Sequence, residues 1–373
     1  MKKSFGFTLI ELMLAIFITT VVLAAAFLLF RDSIKANNNV TQAADVSDNL
    51  RAGLNLLDQD LIQTGTGIPT GGISIPNTVN ASGCNVGGLV NRPPTTLNLT
   101  FQGPNSANPH CNVILPAIEP GDGLGPTVTS PDGTMGTATD VITVLYGDNT
   151  LSLVQKPING AACPAGSIAA DGSSITFDNA CVTLGAAGIP VNSGDLLMIY
   201  NSNNSNGILQ TVTSVSGQTL NFAAGDQFNL NGRTTTEAAG TIRQLQNLTG
   251  GVPNGTYPPT SATRIWMITY YVDSATDPTH PRLMREVNFN APQPVAESLE
   301  NLQFTYNFAD GTSPAPVNQS VVPPTDNENQ IRSVNVYIGT RSTNTKAGSN
   351  QYIRSNVSTQ VALRSMAYFN TYK

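Results

Sequence analysis

The feature that most constrains this chain is an apolar stretch close to its amino terminus. Residues 7–30 hold one charged side chain, Glu11, and are otherwise apolar or small hydroxyl residues. As an α-helix with a rise of about 1.5 Å per residue, the stretch is about 36 Å long, enough to cross a bilayer. A carboxylate inside such a span is costly and usually marks a functional residue. The alternative is that Glu11 lies at the level of the lipid headgroups, near the helix start.

The length of the apolar stretch and the residues that flank it fit an ordinary secretory signal peptide badly. Lys2 and Lys3 precede it and Arg31 and Lys35 follow it, so positive charge decides its orientation only weakly. The stretch is longer than the apolar region of a secretory signal peptide, and no small-x-small cleavage site follows it directly.

Charge argues against nucleic acid and anionic membrane surfaces as partners. The 373 residues contain 11% charged side chains and carry a net charge of −6. No cluster of Lys or Arg is longer than the pair Lys2-Lys3, whereas binding to phosphates needs concentrated positive charge.

The helix is predicted to continue beyond the apolar stretch, over residues 7–64 as a whole. Apolar residues at helical spacing form an amphipathic stripe along residues 31–64, whose clearest members are Val46, Leu50, Leu54, Leu57 and Leu61. Gly65 provides a stop signal. Asn37, Asn38 and Asn39 are poor helix formers and predict a weak point. The acidic residues are predicted to fall largely on the opposite, solvated side: Asp45, Asp48, Asp58 and Asp60.

After the helix the pattern indicates β-structure. Residues 65–138 are rich in Gly, Pro and Asn and predict a long loop region, and residues 139–261 a first β region with an insertion at about 150–250. Two strands flanking Gly147-Asp148-Asn149-Thr150 predict a hairpin. In residues 262–373, period-two alternation, as in Leu302, Phe304, Tyr306 and Phe308, predicts an antiparallel sheet with one face covered by the helix.

The four cysteines predict two disulfides. None forms a C-x-x-C pair and the chain has two histidines, so a zinc site is disfavoured although His110 precedes Cys111. Three connectivities are possible, and we favour Cys84–Cys111 and Cys163–Cys181 because each pair brackets a Gly/Asn-rich loop. The alternative is four free buried thiols.

No residue pattern predicts catalysis or a cofactor. Asp273 and Asp277, or Asp326 and Glu328, could bind calcium, but their spacing matches no regular loop and solvated turn acids are the commoner arrangement. His280 lacks a nucleophile motif such as G-x-S-x-G. Aromatic residues of one strand could form a binding face, although packing is their commoner use: Trp266, Tyr270 and Tyr271. We therefore predict a protein that is not an enzyme.

The stretch KKSFGFTLIELMLAIF resembles the leader of type IV prepilins and type II secretion pseudopilins. In that family a short basic leader ends in Gly, an aromatic residue follows, and a Glu lies five positions into the mature chain. Here these are Gly6, Phe7 and Glu11, after Lys2 and Lys3. The resemblance implies that residues 1–6 are removed by a prepilin peptidase at the cytoplasmic face and that Phe7 is then N-methylated.

The last hundred residues, with PVAESLENLQFTYNFADG, IRSVNVYIGTRS and STQVALRSMAYF, resemble PilW-type minor pilins, which are similar to J-type minor pseudopilins. The resemblance implies an α+β pilin-like fold. A long helix, membrane-spanning in its first half, would pack on a C-terminal antiparallel sheet domain with a β-rich insertion. It also implies an inner-membrane protein with a periplasmic domain that joins a fibre.

The partners implied are the prepilin peptidase, other major and minor pilins, the inner-membrane assembly platform and membrane lipid. In a fibre, the charged Phe7 amine of one subunit would pair with Glu11 of its neighbour, since a low dielectric strengthens such a pair. Two other functions stay open: a minor pseudopilin of a type II secretion system, and a pilus-tip adhesin that uses the insertion.

Overall fold

The computed structural model describes residues 8–69, 71–75, 90–101, 114–153, 167–178, 182–185, 188–201, 207–231, 242–250, 252–257, 260–309 and 328–367. The cleavage site and the disulfide pairing stay predictions, because Gly6, Phe7 and the four cysteines lie outside these ranges. Four other residues named above also lie outside them: Lys2, Lys3, His110 and Asp326.

One long helix, α1, runs from Leu9 to Gln63. It ends where expected, because Thr64 leaves the helical conformation and Gly65 adopts a φ of +80° that disfavours any side chain. A Cβ at Gly65 would also meet Met366 Cγ at 3.0 Å. The predicted weak point is absent, since the helix passes through Asn37–Asn39 without a break. Asn39 instead accepts a hydrogen bond from the Ala347 backbone N–H at 3.1 Å.

The described residues form twenty-two strands, from two to fifteen residues long, and a short helix, α2, at Arg364–Ala367. Three 3-10 turns lie at Thr95–Leu97, Ile242–Leu245 and Glu328–Gln330. The strands are β1 (Ile73–Ser74), β2 (Asn91–Arg92), β3 (Leu99–Thr100), β4 (Ile114–Leu115), β5 (Ile118–Glu119), β6 (Thr127–Thr129), β7 (Met135–Ala138), β8 (Ile142–Leu153), β9 (Ser167–Ile168), β10 (Ser174–Thr176), β11 (Leu196–Asn201), β12 (Gly207–Thr211), β13 (Ser214–Ser216), β14 (Thr219–Asn221), β15 (Leu248–Thr249), β16 (Val252–Pro253), β17 (Thr260–Asp273), β18 (Arg282–Val287), β19 (Gln293–Glu297), β20 (Leu299–Phe308), β21 (Ile331–Thr345) and β22 (Tyr352–Ala362).

The larger sheet is antiparallel and is organised around β17. Strands β11 and β18 pair with β17, as does β8; β12 then pairs with β11, β19 with β18 and β5 with β8. The predicted hairpin at Gly147–Thr150 is wrong, because β8 continues through these residues as one strand with a bulge opposite Arg264. The buried Asp148–Arg264 ion pair, at 2.8 Å, lies at that bulge. Pairing with a long partner strand has overridden the local turn signal.

A second sheet, in the order β20-β21-β22, lies against α1. The predicted alternation is confirmed, since Leu302, Phe304, Tyr306 and Phe308 are all buried while the residues between them are half-buried. The C-terminal segment is nevertheless divided between two sheets, because β17 to β19 belong to the larger one. The fold is thus α+β, with a long apolar N-terminal helix and several antiparallel sheets.

The insertion has a hydrophobic core of its own. Strands β9, β10, β13 and β14 form a four-stranded sheet whose Ile175 and Leu220 pack with Leu197 and Ile199 of β11. The alternate residues of β11, Leu196 and Met198, face the main core beneath α1. Leu209 of β12 belongs to the same core. The larger sheet is therefore covered on both faces at β11 and β12.

Candidate functional site at the exposed end of the long helix

The carboxylate of Glu11 closes the first turn of α1. Thr8 is the N-cap residue, and its hydroxyl accepts a hydrogen bond from the Glu11 backbone N–H at 3.4 Å. In return Glu11 Oε2 accepts from the Thr8 backbone N–H at 3.0 Å and from the Thr8 hydroxyl at 2.8 Å. This reciprocal capping box satisfies two backbone N–H groups that a helix start leaves unpaired.

The segment that follows is apolar on every side, and no described part of the chain packs against it. Its 18-residue window has a mean hydropathy of 2.8 and none of it is buried within the protein. A helix that is apolar all round belongs in a protein core or in a membrane. By length and composition this one can cross a membrane.

The two hydroxyls within the segment are compatible with lipid. Thr19 donates to the Ala15 carbonyl at 2.7 Å, and Thr20 donates to the Ile16 carbonyl at 2.7 Å. Each hydroxyl proton is therefore satisfied inside the helix, which removes most of its cost in hydrocarbon.

Comparison with known families identifies this end of the chain. Residues 1–27 match the family model described as the prokaryotic N-terminal methylation motif. The methylation motif supports a type IV pilin-like leader on a membrane-anchored structural protein, with cleavage by a prepilin peptidase and assembly with other pilins. It covers the leader and most of the apolar segment and does not reach the β-rich part. Characterised proteins and solved structures give no match to the chain.

Within the methylation motif, Glu11 retains capacity for another partner. Its Oε2 atom is engaged by Thr8, whereas Oε1 accepts no hydrogen bond from residues 8–69 or the other described parts of the chain. A carboxylate can accept about four hydrogen bonds. Because the capping box uses Thr8 and Glu11 alone, removal of residues 1–6 would leave it intact. The side chain can hold the helix start and still meet a cation of another chain.

The structure corrects the prediction for Asp60, a second carboxylate on α1. Asp60 was expected on the solvated side but is 3% exposed. Arg285 of β18 donates to it from Nε at 2.7 Å and from Nη2 at 3.2 Å. The hydroxyls of Tyr270 and Tyr146 donate to it at 2.6 Å and 3.0 Å. Four hydrogen bonds from three side chains therefore fasten the end of α1 to β8, β17 and β18.

These contacts change the protonation equilibria of the partners of Asp60. Burial, and secondarily the Asp60 carboxylate, raises the pKa of both Tyr270 and Tyr146 above its usual range. Burial opposes the charge of Arg285, but its hydrogen bonds to Asp60 outweigh burial and raise the pKa of the guanidinium. All three side chains thus remain hydrogen-bond donors at neutral pH.

A pattern in the sequence could have revealed Asp60. Five of the six buried residues of α1 recur at alternating steps of four and three residues: Val46, Leu50, Gly53, Leu57 and Asp60. The sixth, Leu61, follows directly. Asp60 lies on this stripe, and only its polarity suggested otherwise. Gly53 belongs to the stripe because a Cβ there would approach Ala296 Cβ to 2.9 Å.

The remaining candidate residues that the structure describes take part in local hydrogen bonds or in packing. Asp273 and Asp277 accept hydrogen bonds from backbone N–H groups of their own turn, as expected for turn acids, and Asp277 also contacts His280 at 3.0 Å. Tyr270 and Tyr271 are buried, in agreement with packing. Glu328 contradicts the prediction of a solvated acid, because it is buried and burial raises its pKa to about 7. No cluster that could hold a metal occurs among the described residues.

Proposed function

We propose that this chain is a PilW-type minor pilin that takes part in the assembly or initiation of a type IV pilus. A prepilin peptidase cuts between Gly6 and Phe7 and methylates the Phe7 amine. The protein then waits in the inner membrane, with its β-rich part in the periplasm, until the assembly platform adds it to a fibre with major and minor pilins.

The observation that carries this proposal is the split character of α1. One continuous helix joins an apolar segment that nothing in the described protein covers to a second half that is built into the fold. Lipid can cover the segment before assembly and neighbouring helices can cover it afterwards. Because the helix is unbroken, the apolar segment keeps a fixed position relative to the folded part of the protein.

Glu11 supplies the pairing element of the proposal. A cationic amine on Phe7 and a carboxylate on Glu11 are each costly to bury alone in an apolar fibre core, and they compensate each other across adjacent subunits. N-methylation keeps the positive charge of the amine, so the pair survives the modification.

The test is mass spectrometry of the amino terminus of the native protein. We expect a chain that begins with methylated Phe7. The Gly6→Leu variant should accumulate as an unprocessed, membrane-held precursor, whereas Ser4→Ala, a change in the same leader, should be processed normally. A native protein that still begins at Met1 would overturn the proposal.

A minor pseudopilin of a type II secretion system would share this leader and helix, and the fibre in which the processed protein is found distinguishes the two. The separate core of the insertion favours one further role, that of a binding module at a pilus tip. Deletion of the insertion should then abolish surface binding without changing processing of the leader.

A further inference from the structure

Strand β22 forms an open edge of the sheet that lies against α1. It pairs with β21 on one side, and no strand in the described parts of the chain pairs with its other side. The direction of its backbone groups follows from two bonds on the β21 side: Leu363 N–H donates to the Arg332 carbonyl at 2.8 Å, and Ile353 N–H donates to Ser342 Oγ at 3.0 Å.

Odd-numbered residues of β22 therefore direct their N–H and C=O groups towards β21. Because these directions alternate along a strand, the even-numbered residues direct both groups outward. They are Arg354, Asn356, Ser358, Gln360 and Ala362. The result is a row of outward donors and acceptors spaced for an antiparallel partner strand.

This edge lacks the usual protection against pairing. Natural proteins guard exposed edges with charged residues, proline, bulges or short strands. The stretch from Asn356 to Ala362 reads NVSTQVA, with no charge and no proline. The register of β21 and β22 is regular along it. Arg354, at the near end, is held away by Glu300 and Asp132 at 2.7 Å each.

On one face of this edge, side chains on the core side of the sheet are only partly covered. Val357 and Thr359 point towards the side of the sheet that α1 covers, yet both remain half-buried at its rim. A strand added beside β22 would extend this covered face. Its side chains next to Val357 and Thr359 should be apolar, and those on the other face should be polar.

The direction of β22 excludes antiparallel pairing with the β22 strand of a second copy in an anchored state. At one end the β21–β22 turn contacts the helix through Ala347 and Asn39, and at the other Ser365 contacts Thr66 at 2.8 Å. Strand β22 therefore runs in the same sense as α1. Antiparallel pairing of β22 with β22 would require opposed helices, and two copies inserted in one membrane with the same orientation have parallel helices.

We propose that the edge of β22 from Asn356 to Ala362 accepts an antiparallel strand from a different subunit that carries the same type of methylation leader. Such strand addition obtains affinity from main-chain hydrogen bonds and specificity from alternate side chains. The inference rests on the proposed function, because parallel neighbours with similar leaders are its expected surroundings. Besides the contact at Glu11, subunits would then touch at β22, on the side of the molecule where the second half of α1 is covered.

The test is hydrogen exchange of the full-length chain in detergent, alone and co-expressed with host proteins that carry the methylation motif. We expect the outward amides of β22 to exchange quickly in the chain alone and at least about tenfold more slowly in the complex. Fast exchange of these amides within a formed complex would overturn the proposal. So would slow exchange in the chain alone, since its own residues would then cover the edge, or a failure of every such protein to associate.

A proline variant separates the edge from the fold. Ser358→Pro removes an outward N–H and no bond to β21, and proline is tolerated at such edge positions. It should keep its thermal unfolding midpoint within a few degrees and weaken association about tenfold or more. The matched control Ser358→Ala should bind normally, and Asn356→Pro should repeat the effect. Association of both proline variants at wild-type strength would contradict the proposal.

Cleavage of the leader and protection of the β22 amides are measured in separate experiments, so the two proposals can fail independently. A chain that begins at methylated Phe7 and shows no protection at β22 would leave the proposed function standing and remove the strand-addition inference. A chain that is never processed at Gly6 would remove the proposed function, whatever the exchange experiment shows.

Discussion

The two ends of α1 each carry a carboxylate in an apolar setting, and the two are stabilised in opposite ways. Glu11 is fully exposed, and its only hydrogen-bond partner among the described residues is Thr8, three positions away. Asp60 is buried and accepts four hydrogen bonds from side chains that lie 86 to 225 residues away in the sequence. Asp60 is satisfied within its own chain, whereas one oxygen of Glu11 accepts no hydrogen bond from the described residues.

In the proposed function, this difference separates a folding residue, Asp60, from an assembly residue, Glu11. Asp60 joins α1 to the larger sheet, so its loss is expected to act on stability. Glu11 lies in a segment that nothing in the described fold covers, so its loss is expected to act on association. The following experiments could break that contrast.

The largest effect on stability is expected for Asp60→Ala. Removing the buried partner of this ion pair leaves the partly buried Arg285 without its counter-ion, at a cost of about 3–5 kcal/mol in the free energy of unfolding. Urea unfolding of the full chain in detergent, followed by the single tryptophan, Trp266, would measure it. Asp48→Ala, at an exposed position of the same helix, should change the free energy by no more than about 0.5 kcal/mol. Equal effects of the two variants would show that the Asp60 contacts contribute nothing.

A smaller loss is expected for Tyr270→Phe. The change removes the 2.6 Å hydrogen bond to Asp60 and leaves the ring in place. Hydrogen bonds to charged groups contribute about 1.5–3 kcal/mol, and the same unfolding assay should show a loss in this range. Tyr337→Phe, on the half-buried face of β21, is the matched control. A Tyr270→Phe protein as stable as the wild type would mean that water or Arg285 replaces the lost donor.

Two buried acids that have no basic partner among the described residues, Asp140 and Glu328, should make the stability of the fold depend on pH. Burial, together with the neighbouring Asp122 carboxylate, raises the pKa of Asp140 to about 7, and burial raises that of Glu328 to about 7. Between about pH 4 and about pH 7 the unfolded chain therefore binds fewer protons than the folded one at these sites, and stability falls as pH rises. The melting temperature should be higher at about pH 5 than at about pH 8. Asp140→Asn should reduce this difference, and an unchanged profile would contradict the assignment.

The smallest effect on stability is expected for Glu11→Gln, which keeps a capping side chain and removes the charge. A change in an exposed helix cap costs about 1 kcal/mol at most here, and membrane insertion should be normal. Incorporation into purified fibres should nevertheless fall strongly for Glu11→Gln and for Glu11→Val. Fibres that contain Glu11→Gln at the wild-type level would show that its charge has no role in assembly.

Local patterns predicted the long helix and the last sheet well, but the prediction of a loop region over residues 65–138 is wrong. That segment holds β1 to β7 and contributes Ile73, Leu115 and Ile118 to the main core, because pairing and packing with distant residues order it. The predicted helix over residues 7–64 agrees with Leu9–Gln63 to within two residues, because apolar spacing and the Gly65 stop are encoded locally. The alternation in β20 and β21 identified the residues that face the core. The local signals failed where contacts with residues distant in the chain determine the structure. These places are Asp60, the continuous strand β8, and Asn39, which accepts a hydrogen bond from the β21–β22 turn.

The sequence by itself determined the apolar anchor, its lone carboxylate and the methylation motif, because each depends on residues within about one membrane thickness of chain. Only the tertiary structure decided which of two helix carboxylates is already satisfied, and which strand edge stays open among the described residues. Those properties depend on contacts between residues that are far apart in the chain, and the free energy of a buried charge depends on the partners that folding brings to it.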